Sequence, residues 1–177
     1  MSHSIVPVPL GATPYLERIL KARVYEVTRE TPLEFAPLLS ARLGNEVFLK
    51  REDLQEVFSF KLRGAYNKMS RLSEQERAGG IIAVSAGNHA QGVALAAQRL
   101  DLKVLIVMPT TAPQIKVESV QNRGAKVILF GDTYDEAAAY AYQIAKEKNM
   151  TLIHPYDDPD VIAGQGTVAM EILRQIK

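Results

Sequence analysis

Ile81-Ile82-Ala83-Val84 begins a series of short apolar runs that continues with Val104-Leu105-Ile106-Val107, Val127-Ile128-Leu129-Phe130 and Thr151-Leu152-Ile153. Each run is apolar on consecutive positions rather than alternating, the pattern of strands covered on both faces. Between the runs lie His89 to Leu100, Gln114 to Arg123 and Tyr134 to Asn149, each with helical periodicity. Gly124 stands where the second of these helices should stop, and Pro109 and Pro113 bracket its entry. Strand and helix therefore alternate three times, which implies right-handed crossovers and an α/β fold with a parallel four-stranded sheet flanked by helices.

Upstream, Thr31-Pro32 reads as a helix N-cap with proline at the first helical position. It predicts a helix from Leu33 to Leu43, stopped by Gly44 and shortened or made irregular by Pro37. Glu46 to Arg51 is then a predicted strand and Phe60 to Leu72 a predicted helix, while Ser73-Glu74-Gln75-Glu76 fits a capping box. Residues 1 to 30 read as an arm with one helix around Pro14 to Val24. After Asp157-Asp158-Pro159, a last amphipathic helix is expected from about Gln165 to Ile176.

With 177 residues, 47% hydrophobic and 23% charged, the chain can bury a core, and its length suits one domain or one plus a fragment of a second. Twenty-one basic residues against twenty acidic ones leave a net charge of +1 and no basic run, so neither nucleic acid nor a membrane is expected as a partner. The absence of cysteine excludes a disulfide framework, a thiolate nucleophile and a cysteine-based zinc site, and makes the cytoplasm the default compartment. Met1 to Leu10 is broken by Pro7 and Pro9 and has no basic run before it, unlike a signal peptide. No apolar stretch approaches the ~20 residues that span a bilayer, so a soluble protein is expected.

Two segments carry chemistry. In Ser59-Phe60-Lys61-Leu62-Arg63-Gly64-Ala65, Lys61 follows Phe58 and Phe60 and falls in the first turn of a predicted helix capped by Ser59. The positive end of the helix and the apolar neighbours both favour the neutral amine, a nucleophile toward carbonyls and a base toward acidic C–H bonds. The alternative is a surface lysine whose stem lies on the phenylalanines. The second segment, Ser85-Ala86-Gly87-Asn88-His89-Ala90-Gln91-Gly92, leads from a strand end into a helix. Its free backbone N–H groups suit a carboxylate or phosphate, with Ser85 and Asn88 as added donors. It also reads as an ordinary capped strand-to-helix loop.

Taken with Lys50-Arg51-Glu52-Asp53-Leu54-Gln55, these segments resemble the fold type II family of pyridoxal-phosphate enzymes, and within it the biosynthetic threonine dehydratase (threonine ammonia-lyase) branch. Val24-Tyr25, Thr31-Pro32-Leu33, Val107-Met108-Pro109, Lys116 and Ile162-Ala163-Gly164-Gln165-Gly166-Thr167 match as well, so the resemblance runs from about Tyr15 to Ile176. It implies pyridoxal 5'-phosphate as cofactor, held covalently by Lys61, which once released moves the proton at the substrate α-carbon. Phe60 is implied beside the cofactor ring and Asn88 at its phenolic oxygen, with Ser85, Ala86, Gly87, Asn88 and His89 receiving the substrate carboxylate. In the implied reaction the β-hydroxyl of L-threonine or L-serine leaves as water and the resulting enamine hydrolyses to a 2-oxo acid and ammonia, a step in isoleucine biosynthesis. A sulfur-transferring synthase of the same fold and a non-catalytic interaction module are the alternatives.

The family's glycine-rich phosphate loop, its hydroxyl residue beside the pyridine nitrogen and its regulatory domain have no counterpart in this sequence. The resemblance therefore implies an N-terminal portion: an arm and large-domain fragment over 1–69 that includes Lys61, a small α/β domain over 70–155, and the start of the remaining large domain over 156–177. Such a portion is expected to bind the cofactor weakly. It is also expected to self-associate, or to keep its flanks mobile, because Val47, Leu49, Val168, Ile172 and Ile176 would pack on a sheet whose other strands are missing. No metal is expected. Asp157, Asp158 and Asp160 near His154 are interleaved with Pro155 and Pro159 and read as turn and cap residues. His3 reads as disordered, and Glu136 with Ala137 to Ala139 as helix formers on a core-facing helix.

Overall fold

The computed structural model describes residues 13–176, and the readings of Met1 to Leu10 and of His3 lie outside them. Helix α1 (Thr13–Leu20) and a single-turn 3-10 helix at Val24–Glu26 lead into β1 (Leu33–Phe35), α2 (Pro37–Leu43) and β2 (Phe48–Lys50). The helix predicted from Leu33 begins only at Pro37, because Leu33, Glu34 and Phe35 pair antiparallel with Lys50, Leu49 and Phe48. The Thr31 hydroxyl donates to Glu52 Oε1 at 2.6 Å and caps nothing. Pro37 takes the N1 place expected of Pro32, where a missing N–H is free, and Gly44 ends the helix with φ at 61°. The strand expected over Glu46 to Arg51 is thus half of a two-stranded ribbon whose partner lies in the same chain.

Helix α3 (Lys61–Ser70) is followed by α4 (Glu74–Ala78), which starts in the predicted capping box of Ser73 and Glu76. The repeating part then runs β3 (Ile81–Val84), α5 (Asn88–Arg99), β4 (Val104–Met108), α6 (Gln114–Gln121), β5 (Lys126–Leu129), α7 (Tyr134–Glu147) and β6 (Thr151–Leu152). Its four strands form a parallel sheet in the order β5-β4-β3-β6, as the apolar runs require. Alternate residues feed two cores. Ile81, Ala83, Val104, Ile106 and Met108 pack with residues of α3, α5 and α6. Ile82, Val84, Leu105 and Val107 pack with Ala137, Ala138, Ala141 and Ile144 of α7.

Helix α8 (Pro159–Gln175) starts before the predicted Gln165, because Asp158 Oδ1 accepts from the backbone N–H groups of Asp160 and Val161 at 2.8 and 3.1 Å. Asp158 is the cap residue that the Asp-Pro pattern suggested. Gly164 does not break the helix but lets it cross α3 in backbone contact. A Cβ there would lie 2.5 Å from Arg63 O and 2.7 Å from Gly64 Cα. On the other side of α3, a Cβ on Gly92 of α5 would lie 3.0 Å from the backbone of Lys61 and Leu62.

A buried charge network ties these pieces together. Arg63 is wholly buried and forms ion pairs with Glu52 (2.8 Å) and Glu171 of α8 (2.6 Å). Glu171, itself wholly buried, also takes Lys50 Nζ at 2.6 Å and the Tyr25 hydroxyl at 2.8 Å. Two cations and two carboxylates balance, and each oxygen of both carboxylates is hydrogen-bonded or ion-paired, which buried charges require.

The expectation for the flanks is therefore corrected in part. Helix α8 has α3 and α1 as intramolecular partners, and Val47, Val168 and Ile172 are half-buried. Leu49 and Ile176 stay 46% and 56% exposed, beside Leu38 at 87%. Among the described residues no helix is long and apolar enough to cross a membrane.

Candidate functional site

Lys61 is the first residue of α3, where the preceding Phe60 caps the helix through its backbone alone. The expected Ser59 side-chain cap is replaced by a long contact of 3.4 Å from Lys61 N to Ser59 Oγ. The Lys61 side chain leans over the Phe60 ring, with Nζ 5.4 Å from its centroid, and Nζ donates to Pro155 O at 2.8 Å. Burial lowers its pKa, since a half-buried amine loses hydration when charged.

The Ser85-to-His89 segment leaves β3 and opens α5, as the sequence predicts. Gly87 N–H donates to Ser85 Oγ at 3.1 Å, which shapes the turn, and no atom stands within 4 Å of where a Cβ on Gly87 would be. Ser85, Ala86 and Gly87 are half-buried and Asn88 is exposed at the helix start. His89 points inward, 3% exposed, and its Nε2 donates to Ile153 O at 2.9 Å. Burial is the main cause that pushes His89 down to about 4, and the neighbouring Lys61 ammonium adds to it. The ring is neutral at pH 7, and its Nδ1 is buried without a hydrogen-bond partner among the described residues.

The two predicted segments meet through a third one. The chain after β6 offers Ile153 O to His89 and Pro155 O to Lys61, so the end of the last strand bridges α3 and α5. Asn88 and Phe60 lie at the rim and make no side-chain hydrogen bond or ring contact with each other. Sequence reasoning missed the two carbonyls because any residue can supply one. It also missed the close approach of Gly92 to the backbone of α3 and the Arg63 network. An arginine and a glutamate set among apolar residues of α3 and α8 were the available signal.

A family model described as pyridoxal-phosphate dependent enzyme matches residues 24–177. Among curated relatives, threonine dehydratase 1 biosynthetic, chloroplastic, of Solanum lycopersicum is 60% identical over 92% of this chain and 27% of its own length. L-threonine dehydratase biosynthetic IlvA of Burkholderia multivorans is 57% identical over 91% of this chain and 32% of its own length. The chain thus spans about a quarter to a third of these relatives. Among solved structures, the processed form of threonine deaminase isoform 2 from Solanum lycopersicum superposes with a TM-score of 0.90 at 54% identity, covering 96% of this chain and 47% of that one. Maize serine racemase superposes with a TM-score of 0.85 at 33% identity, over 90% of this chain and 49% of that one. The lysine at the start of α3, the open loop at the start of α5 and the sheet that presents them all fall inside the matched stretch, and the chain belongs to the pyridoxal-phosphate dependent enzyme family.

Proposed function

We propose that this chain is the lysine-bearing part of an enzyme that deaminates L-threonine, with L-serine as a second substrate, in isoleucine biosynthesis: the β-hydroxyl leaves as water, and water then hydrolyses the resulting enamine to a 2-oxo acid and ammonia. The observation that carries this reading is the state of the Lys61 amine. Lys50 is committed to the buried network and Lys68 to Asp158 at 2.9 Å, whereas Lys61 is held by a single carbonyl oxygen and has a lowered pKa. The names of the similar proteins support the choice of substrate. The reading divides the chain near residues 70 and 155, with the parallel sheet of β3 to β6 inside the small domain.

The residues present suit a pyridoxal 5'-phosphate group: a ready amine, the exposed Asn88 amide, and open space at Gly87. When bound, the cofactor supplies an electron sink for charge that develops at the substrate α-carbon. Lys61 would hold it covalently, and the freed amine would carry the proton at that carbon. Phe60, 41% exposed, would pack beside the ring, and Asn88 would hydrogen-bond its phenolic oxygen. The N–H groups from Ser85 to His89 would receive the substrate carboxylate at the positive end of α5. His89, neutral and tied to Ile153 O, keeps that end free of a competing side-chain charge.

The test is to mix the chain with pyridoxal 5'-phosphate, reduce with borohydride and map the labelled peptide. Label on Lys61 is expected, and label on Lys50, Lys68 or Lys116 instead overturns the assignment. The chain alone is expected to bind the cofactor weakly. Steady formation of 2-oxobutanoate at about 1 per second or more, a rate typical of complete enzymes, would overturn the reading that it is a part.

A further inference from the structure

At the end of the sheet opposite Lys61, the amino ends of β3, β4 and β5 open into a groove of about 880 Å³. Lys103, Lys126 and Lys148 line it, each from a different crossover, and all three are exposed. Among the described residues, none of the three has a carboxylate within ion-pair distance. The walls between the lysines are apolar, with Val127, Ile128 and Met150 half-buried there. Helix α7 lies over β3, β4 and β6, which leaves the start of β5 to form one wall. Gly124, with φ at 83°, keeps one side open, since no atom stands within 4 Å of where its Cβ would be.

Three ammonium groups around one groove repel one another and focus a positive potential on it. An inorganic anion would relieve that repulsion but leave the apolar walls wet. A neutral hydrocarbon would cover the walls and leave the lysines unpaired. Binding sites of this size combine apolar walls with a few placed charges that fix orientation. We propose that the groove binds a small organic anion with an apolar body, a carboxylate or a phosphate monoester, at a site separate from that of Lys61. The site is independent of the proposed catalytic reading, because none of its residues belongs to that machinery.

The test uses the full chain, labelled with nitrogen-15, and follows amide shifts during separate titrations with octanoate, phenyl phosphate, 1-octanol and inorganic phosphate. Octanoate or phenyl phosphate should move the amides of Gly80, Lys103, Gly124 and Lys126, and which of the two binds more tightly names the anionic group. Octanol and inorganic phosphate should each bind at least tenfold more weakly. The K103Q/K126Q variant, changed only at exposed positions, should keep its amide dispersion and lose at least tenfold in affinity. K148Q should weaken binding by a smaller factor. Equal binding of octanol, shifts confined to the exposed surface around Leu38 and Phe48, or unchanged affinity in K103Q/K126Q would each overturn the proposal.

Discussion

Replacing Glu171 by glutamine should be among the most damaging single changes in the chain. In the native network the charges of Lys50 and Arg63 balance those of Glu52 and Glu171, and all of these side chains are nearly or wholly buried. Glu171→Gln leaves two cations against one carboxylate, and stranding a buried charge in this way costs about 3–5 kcal/mol. In the double variant Lys50→Met/Glu171→Gln, the pair of Arg63 and Glu52 remains, neutral and joined by two bonds of 2.8 Å. Balanced removal should cost less than the single change, about 1–2 kcal/mol for the bonds to Thr31 O and Gln175 that Lys50 also makes. The two positions should then couple by about 2 kcal/mol or more. Urea unfolding followed by circular dichroism at 25 °C measures all four members of the cycle. A single-variant cost below about 1 kcal/mol, or a double variant that loses the sum of the two singles, would refute the charge-balance argument.

Stability should fall in acid through His89 before the carboxylates matter. The unfolded histidine takes its proton near 6.5 and the folded one only at about 4, so the unfolded state binds more protons between those values. About 3 kcal/mol of stability present above pH 6.5 is then lost as the pH falls to 4. His89→Gln should flatten urea midpoints across this window, and parallel curves for the two proteins would contradict the assignment. Glycine substitutions should divide by environment in thermal melts. Gly164→Ala, whose methyl would meet Arg63 O at 2.5 Å, should cost about 1–3 kcal/mol, whereas Gly87→Ala, facing open space, should stay within about 0.5 kcal/mol.

The parallel sheet was legible because four runs of consecutive apolar residues, with helical periods between them, leave few other arrangements. Leu33 to Phe35 were not, since Thr31-Pro32 suits a helix start locally and the strand partner, Phe48 to Lys50, is a non-local fact. The early start of α8 was hidden by Gly164 and Gly166, which look like breakers until the crossing with α3 is seen. Lys61 stood out from its neighbours, yet its sequence left two readings open, and its burial and its single bond to the Pro155 carbonyl support the reactive amine. Lys103, Lys126 and Lys148 formed no run in the sequence, so their convergence had no local sign. The Arg63 network left only a faint sign, an arginine and a glutamate among apolar residues of α3 and α8, because charged residues in Lys-Arg-Glu-Asp or Met-Glu-Ile-Leu look solvated one at a time.

Helix α3 lies between Gly92 of α5 on one side and Gly164 of α8 on the other, touching both through main-chain atoms. Most helix contacts are cushioned by side chains that can change rotamer, and each such hop lets the helices slip by fractions of an ångström. Here no rotamer stands between the lysine helix and its neighbours at those two points. The placement of Lys61 is consequently set by covalent geometry and van der Waals radii, as a shaft is set by its bearings. An amine mounted this way needs only its own four-carbon arm to move.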